Sequence, residues 1–584
     1  MNLNIMVTFK QYKKWAGRLC FGAVATLALA ACADWDDHYE ADSSLLGSQE
    51  LSLWKNIQKN DNLSQFAALL KKSGYDAVLD ASQTYTVWAP VNGTFDYEGM
   101  DALSGERLRK EFIENHIARN NYPASGLVDQ RIFTLNEKLM RFSGNGNYSM
   151  QGVEVENSNV ASHNGVIHTL KGRLPFVQNI YESLNAYDYS IDSISNFFHS
   201  YDVKKLNEKK SIQGPTLNGE ITYLDSIFDE HNDLFTRFNA FINREDSNYT
   251  MLVPTNDAWN KAKAQISKYF NYLQTFEFME NTSTEEPRKV KVNIKDVKYL
   301  KDSIVNMILL SDLFYNNNLY DNKKLEKLTT GQTLQCDSLY DTDGTIIYSE
   351  DAARLFEGAQ RFDKSNGNVW ITDSLRMRSW TTWNPEIRIE AENTLTQASY
   401  VSVAGQPETT YVVPGMQNPD VSGHVSMNRF ITVQPISAST NPGIVFYLPD
   451  VRSTTYSIYM VVVPGNIVNT NMESVLPNRF KVSMGYADAT GSNDDKNTKW
   501  AVDSLVSNVN KVDTMYLGDF TFPMAYAGTG NYYPYLRVNS DVKSKERIYY
   551  DRTLRIDCLI LRPKELDDYL KAHPDYKYDK KIEE

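Results

Sequence analysis

Two histidines flank an Asn-Gly pair in "SHNGVIHTL", residues 162–170, and imidazoles this close in sequence are the first place to look for a metal ligand or a general base. In a hairpin closed at Asn164-Gly165, His163 would pair with Val166, and Val166, His168 and Leu170 would share one strand face, which predicts a core position for His168. A second copy of the segment, "NGNVWITDSL" at 366–375, places Trp370 where the first has His168. Indole cannot replace imidazole as a ligand or base. Aligning "LRKEFIENHI" with "LKDSIVNMIL" likewise sets His116 against Ile308. Both histidines are therefore read as packing groups with one ring nitrogen satisfied. Other chemistry is thin. No Gly-x-Ser-x-Gly, His-Glu-x-x-His, phosphate-binding loop or dinucleotide fingerprint occurs. "DTDGTIIYSEDA", 341–352, imitates an EF-hand loop but fails at its first ligand position, Leu339, so Asp343-Gly344 reads as a hairpin turn. Carboxylates are too plentiful for one pair to stand out as an acid/base couple, which gives no positive support for catalysis.

Those histidines sit in a repeat that organises the first two thirds of the chain. "YTVWAPVNGTFD", 85–96, aligns without a gap with "YTMLVPTNDAWN", 249–260. Each reads as a buried strand stopped by Pro90 or Pro254, then Asn92 or Asn256 placed to cap a following helix whose first inward residue is Phe95 or Trp259. Upstream, Leu63, Phe66, Ala67 and Leu70 fall at helical spacing before Gly74. The strand-Pro-x-Asn box and the Asn-Gly-Val-Ile-His box together resemble the two signature boxes of fasciclin-like domains. Copy one would run over 50–177 and copy two over 185–380. Pro90 and Asn164 are 74 residues apart and Pro254 and Asn366 are 112 apart, so copy two carries 38 extra residues. An insertion near 280–296 is expected to form a surface loop or flap. The resemblance implies an α+β fold and a general association with adhesion. In animal fasciclin domains adhesion is tied to an Asp-Ile pair and a Tyr-His pair; the matching positions here are Asn159-Val160 and Asn115-His116, so no defined adhesion site carries over.

From 384 to 563 the texture changes to short strands rich in β-branched and aromatic residues between Gly, Pro, Asn and Asp, the pattern of an all-β sandwich. Its first and last strands resemble jelly-roll carbohydrate-binding modules of the galactose-binding type. That resemblance implies a possible structural calcium at Glu390, Glu392 and Asp557. Sugar stacking would fall to Tyr526, Tyr532, Tyr533 and Tyr535 in "YAGTGNYYPY". Residues 564–584 read as a short helix and a frayed charged tail without an apolar face.

The N-terminus looks like a processing signal. Lys10, Lys13, Lys14 and Arg18 precede an apolar run, 19–31, too short to span a bilayer. Leu29-Ala30-Ala31-Cys32 resembles a bacterial lipobox, which implies removal of 1–31 and lipidation of Cys32. An acidic tether, 32–49, with Asp34, Asp36, Asp37, Glu40 and Asp42, resembles the signal that sends some lipoproteins to the outer face of the outer membrane. Cleavage would remove four basic groups and no acidic one, taking the formal charge from -13 to -17. So acidic a body argues against nucleic acid as a partner. Cys336 and Cys558, 222 residues apart, are expected as two buried thiols. The expected protein is thus multidomain, two α+β fasciclin-like domains followed by an all-β jelly-roll sandwich. It is expected to be a lipid-anchored, non-enzymatic surface protein that captures glycan or mediates adhesion. The alternatives are an accessory subunit docking on an outer-membrane glycan-import complex and, last, a hydrolase.

Overall fold

A computed structural model describes residues 49–578 apart from 186–189, 210, 218, 282–286, 414, 469–474 and 495–499. The signal segment 1–31, Cys32, nearly all of the tether and residues 579–584 lie outside the described residues.

Copy one is organised by the buried strand Tyr85–Pro90, every residue of which is inaccessible. On one side it pairs antiparallel with Ile117–Arg119, on the other it runs parallel to Gly165–Leu170 from Tyr85↔Gly165 to Pro90↔Leu170. The sheet continues through Val153–Ser162, Asn147–Met150, Leu139–Asn145 and Leu127–Phe133. Helix Ser64–Ser73 buries Phe66, Leu69 and Leu70 against it and ends at Gly74, whose φ of 80° supplies the left-handed cap. Copy two repeats this frame pair for pair. Tyr249–Pro254 pairs with Phe314–Asn316 and runs parallel to Gly367–Thr372, from Tyr249↔Gly367 to Pro254↔Thr372. Its sheet stops one strand later, at Gln360–Lys364.

The second box works through its Asn and Gly. Asn164 Oδ1 accepts from Leu53 N–H (2.8 Å) and its Nδ2 donates to Leu79 O and Ala81 O (3.0 and 2.6 Å). Asn366 repeats the set with Ile180 N–H, Ile242 O and Arg244 O (2.9, 2.7 and 3.0 Å). A Cβ on Gly165 would lie 1.9 Å from Tyr85 O, and one on Gly367 1.8 Å from Tyr249 O, so only glycine lets the strands close. The turn is one residue earlier than expected. Ser162 pairs with Gly165, leaving His163 and Asn164 as the loop, because Gly165 is already part of the strand.

Three further expectations change. Asn92 and Asn256 cap the helix before the strand, not the one after it: Asn92 Oδ1 accepts from Gln65 N–H (3.0 Å) and Asn256 Oδ1 from Ser193 N–H (2.8 Å). The following helices are capped by Asp96 and Thr255. The insertion is no surface flap. It forms a hairpin, Thr275–Glu280 with Arg288–Asn293, that sends Phe276, Phe278 and Val292 into the core of the C-terminal domain. The alternation of apolar residues on both strands is what drives this burial. The tail is not frayed over its described length either. Helix Lys564–Ala572 buries Leu566, and beyond it Tyr576 accepts from Trp380 Nε1 (3.0 Å) and donates to Asp351 of copy two.

The C-terminal domain has two antiparallel sheets. One runs Glu408–Tyr411, Arg429–Val433, Leu554–Pro563, Thr455–Val462, Asp513–Thr521, with Ile387–Glu390 added on Leu554–Pro563; the other runs Gln397–Val401, Gly443–Tyr447, Tyr535–Ser540, Arg479–Gly485, Ala501–Val506. Their inward residues, Ile431, Ile444, Phe446, Ile458, Phe480 and Leu559 among them, share one core. The domains are fastened to one another. Lys138 of copy one, buried, meets Glu182 Oε2 (2.5 Å) and Glu245 Oε1 (2.7 Å) of copy two. Copy two reaches the C-terminal domain through Tyr272 Oη, which donates to Ala527 O (2.6 Å), and Glu277 N–H, which donates to Gly491 O (2.7 Å).

Candidate functional site

The histidines are packing groups, and more completely satisfied than expected. His168 is fully buried, faces Trp88 across the parallel pair at 5.8 Å between ring centroids, accepts from Asn159 N–H at Nδ1 (3.3 Å) and donates from Nε2 to Tyr122 O (2.9 Å). His116 is the opposite tautomer: Nδ1 donates to Phe112 O (2.7 Å) and Nε2 accepts from Leu174 N–H (2.9 Å). Both nitrogens of both rings are used. Burial pushes each imidazole down to about 4, so neither carries charge at neutral pH. Strand register also corrects one alignment. Ile117 and Phe314 hold equivalent places against Val87 and Met251, so His116 corresponds to Leu313, not Ile308. Asn159 takes a left-handed backbone, φ 61°, and its side chain grips both N–H and C=O of Ala124.

The tyrosine group does not form a platform. Tyr526 and Tyr535 are 2% and 1% exposed, with Tyr526 Oη accepting from Ala487 N–H (2.6 Å). Tyr532 packs edge-on against Phe276 and Phe278 of the inserted hairpin, and Tyr533 lies against Tyr447. The turn residues around them suggest exposure, but the hairpin from copy two, invisible as a partner in the sequence, packs against Tyr526, Tyr532 and Tyr535.

Two of the three carboxylates converge, Glu390 and Asp557, and Cys558 takes the place expected for Glu392. Asp557 accepts Ser426 N–H at both oxygens (3.2 and 3.0 Å), and Glu390 Oε1 accepts Ser426 Oγ–H (3.1 Å). Ligand atoms of Glu390, Asp557 and Cys558 lie within 4.8 Å of one another. Glu392 is instead paired with Arg429 Nε (2.5 Å), its second oxygen buried without a hydrogen bond. Burial, then the charges of Glu390 and Glu392, push Asp557 up to about 8. Burial pushes the Cys558 thiol up as well, which keeps it a neutral, soft group unsuited to a hard cation. Glu390, Asp557 and the Ser426 hydroxyl fit a hard divalent ion in donor type; Glu392 would have to leave Arg429 to join them. Cys336, half-buried and free, is pushed up to about 11 by burial.

Ser426 belongs to a segment with a second face. Met427 and Asn428 both hold left-handed backbone, φ 50° and 54°, a strain that persists only where surrounding bonds fix it. Asn428 O accepts from Val412 N–H (2.8 Å), and Asn428 lines a cleft of about 500 Å³ with Val412, Val413, Gln417, Asn418 and His424. Tyr411, Val413 and Met416 are exposed beside it. Sequence reading missed this cleft, because "YVVPGMQNPDVSGH" carries no motif beyond turn residues. Among the described residues no helix is long and apolar enough to cross a membrane.

Comparison with known proteins adds the following. Residues 61–174 match the Fasciclin domain family model. No curated protein matches the chain. Among solved structures, a FAS1 domain pair from the insect cell adhesion molecule fasciclin I is 14% identical over 55% of this chain and 98% of its own, with a TM-score of 0.18. A Paenibacillus xanthan lyase is 14% identical over 35% of this chain and 16% of its own, with a TM-score of 0.20. Copy one is thus similar to a Fasciclin domain over nearly its whole length, and copy two repeats its central strand frame.

Proposed function

We propose that this is a non-enzymatic binding protein, lipid-anchored at Cys32 on the outer face of the outer membrane, which holds its C-terminal domain outward to capture glycan or adhere to a neighbouring surface. The observation that carries the reading is the Fasciclin domain at 61–174, a module generally associated with adhesion rather than catalysis. Buried ties at Lys138 and Tyr272 support a stiff arm, which suits presentation of a distal domain. The glycan part of the reading rests on the cleft at 412–428. Exposed Tyr411, next in sequence to the cleft residue Val412, offers a stacking face, and exposed His424 and Asn428 offer polar groups in the lining. Glu390, Asp557 and Ser426 would hold a calcium ion behind the same segment, where loading would displace the Asp557 proton.

The test is binding of residues 33–584 to an array of plant, host and microbial glycans, with and without a calcium chelator. Calcium-dependent binding to one glycan class, lost in Tyr411→Ala and Asp557→Asn, is the expected result. Absence of binding to every glycan would sink capture and leave docking. Docking on an outer-membrane import complex is favoured by one observation of its own: Val203, Ile221 and Phe228 stand exposed on the two hairpins of copy two between 202 and 232. Turnover of a polysaccharide by the purified protein would restore the hydrolase reading.

A further inference from the structure

The C-terminal domain meets copy two at one end of its sandwich and presents an amphipathic surface at the other. The junction lies where Thr455–Val462 begins and Asp513–Thr521 ends: Ser453 N–H donates to Tyr269 O (2.9 Å) and Asn271 Nδ2 to Pro523 O (3.2 Å). Leu554–Pro563 runs antiparallel to Thr455–Val462, from Tyr456↔Pro563 to Val462↔Ile556, so its first residue, Leu554, lies at the opposite end. The loops 434–442 and 541–553 close that end, the first between Arg429–Val433 and Gly443–Tyr447, the second between Tyr535–Ser540 and Leu554–Pro563.

Apolar side chains are exposed there on separate segments. Ile548 and Tyr549, neighbours in the 541–553 loop, are 71% and 62% exposed, and Ile436 in the other loop is 63% exposed. Val401 and Val506, the last residues of Gln397–Val401 and Ala501–Val506, are exposed at the same end, since Val401 pairs with Gly443, Ile436 N–H donates to Ser402 O (2.9 Å) and Val506 pairs with Arg479. Lys543, Lys545 and Arg547, all exposed, lead up to the Ile548-Tyr549 pair. The acids of the loop do not cancel these cations. Glu546 pairs with Arg479, Asp551 pairs with Arg555 (2.8 Å), and Asp541 adjoins Arg479, whose Nε donates to its carbonyl (2.7 Å). Glu408 and Asp503, on the edge strands, leave the cations in excess, in a chain whose formal charge is -13.

The tip is held in place. Arg552, 5% exposed, donates from Nε and Nη2 to Val542 O (3.2 and 2.7 Å) and from Nη1 to Ala438 O, which ties the two loops together. The Arg479 guanidinium lies 4.6 Å from the Tyr550 ring centroid. Glu546 Oε2 accepts from Lys543 N–H (2.9 Å), and Tyr549 N–H donates to Glu546 O (2.9 Å), so the backbone on both sides of the cations is fixed.

We propose that this end of the C-terminal domain docks on an anionic phospholipid surface, with Ile548 and Tyr549 entering the boundary between headgroups and acyl chains and Lys543, Lys545 and Arg547 meeting the phosphates. An aliphatic residue and a tyrosine on a tip beside Lys and Arg have the composition that partitions into that boundary. The apolar tip leaves water, the phenol hydroxyl stays among the headgroups, and the long cationic side chains reach the phosphates. A protein partner would favour a continuous apolar patch, whereas these side chains stand on separate loops and strand ends. The inference rests on the outward presentation proposed above. It needs neither the cleft at 412–428 nor calcium, and shares no residue with either site.

Flotation of residues 33–584, which retain every described residue, with phosphatidylcholine vesicles lacking or containing phosphatidylglycerol tests the docking. Binding to the anionic vesicles alone is expected. Lys543→Gln, Lys545→Gln and Arg547→Gln should each weaken it by about fivefold. Ile548→Ser combined with Tyr549→Ser should weaken it by at least about tenfold. These positions are exposed, so unfolding temperatures should stay as in the unaltered chain. Glycan binding, which belongs to the cleft, should be the same in every variant. Val203→Ser combined with Phe228→Ser, which removes exposed apolar groups from copy two, should leave vesicle binding unchanged. No binding to anionic vesicles, equal binding to both vesicle types, or full binding by the Ile548/Tyr549 double variant overturns the proposal. So does dimerisation of the chain without lipid that this double variant abolishes, which would make the tip a contact between copies.

Discussion

Copy one buries two histidines where copy two buries Leu313 and Trp370, and copy two buries the Asp312 and Asp341 carboxyls where copy one has Asn115 and Thr134. The hydrogen-bonded frame around these sites is the same: the parallel pair, the Asn side chain gripping three backbone groups, and the glycine pressed against a tyrosine carbonyl. A fasciclin-type frame therefore constrains backbone closure tightly and leaves the polar groups inside it free to differ. The difference has a direction. Copy one buries two imidazoles that acid would charge, and copy two buries the Asp341 carboxyl, which burial holds above the ordinary carboxylate range and which alkali would charge.

The largest test of the shared frame is Gly165→Ala beside Gly367→Ala. Each new methyl would sit under 2 Å from a backbone oxygen. Each substitution should abolish its own domain's cooperative unfolding, a loss above about 4 kcal/mol, seen in calorimetry as one missing transition. Unequal effects would show that the frame is not equally essential. Next in size is Lys138→Met, which leaves Glu245, almost fully buried, without its cation. A cost of about 3–5 kcal/mol is expected at the junction, together with a wider spread of interdomain angles in small-angle scattering. An unchanged scattering profile would mean that other contacts alone fix the two copies.

Acid should separate the copies. His116 and His168 have folded values near 4 against about 6.5 unfolded, so the unfolded chain binds more protons between those limits. Stability present above about pH 6.5 is lost as pH falls toward 4, by about 3 kcal/mol for each histidine. Thermal unfolding between pH 7.5 and 4.5 should lower the copy-one transition much further than the copy-two transition. His168→Leu should shrink that gap by about half even though it costs packing. Equal shifts in both copies would locate the acid sensitivity in carboxylates common to both.

Local pattern made the frame legible: Pro90, Pro254, Asn164, Gly165, Asn366 and Gly367 are backbone requirements and show as identities at fixed offsets. The C-terminal strands were legible from β-branched and aromatic texture. What pattern did not show was partnership across the chain. Tyr526 looks like a loop residue until Phe276, 250 positions earlier, arrives against its ring. Tyr576 looks like tail until Trp380 and Asp351 meet it. Likewise, Glu392 looks like a calcium ligand until Arg429 takes it, and gapless alignment sets His116 against Ile308 because the helix before Leu313 differs from its counterpart in length and type. Apart from the His116 alignment, each miss is a contact between segments distant in sequence, which local spacing does not encode.

The smallest effect discriminates most finely between the copies. Asn92 and Asn256 cap equivalent helices, so Asn→Ala at either should cost about 1 kcal/mol in its own transition. Their second contacts differ. Asn92 Nδ2 donates to Asp61 O and Ser64 Oγ (2.8 and 2.9 Å), whereas Asn256 Nδ2 donates to the Asp192 carboxylate (3.1 Å). Asn92→Asp keeps the oxygen that accepts from Gln65 N–H and places a negative charge at a helix N-terminus, where it is favourable, with Ser64 able to turn its hydroxyl and donate. That substitution should cost less than Asn92→Ala. Asn256→Asp keeps the bond to Ser193 N–H but sets two carboxylates against each other in a half-buried site, so it should cost more than Asn256→Ala and recover as pH falls below 4. Chemical unfolding of the four variants at pH 7 and pH 4 checks the order. If Asn92→Asp and Asn256→Asp behaved alike, the Asp192 contact would carry no weight, and the two caps would be interchangeable despite their different partners.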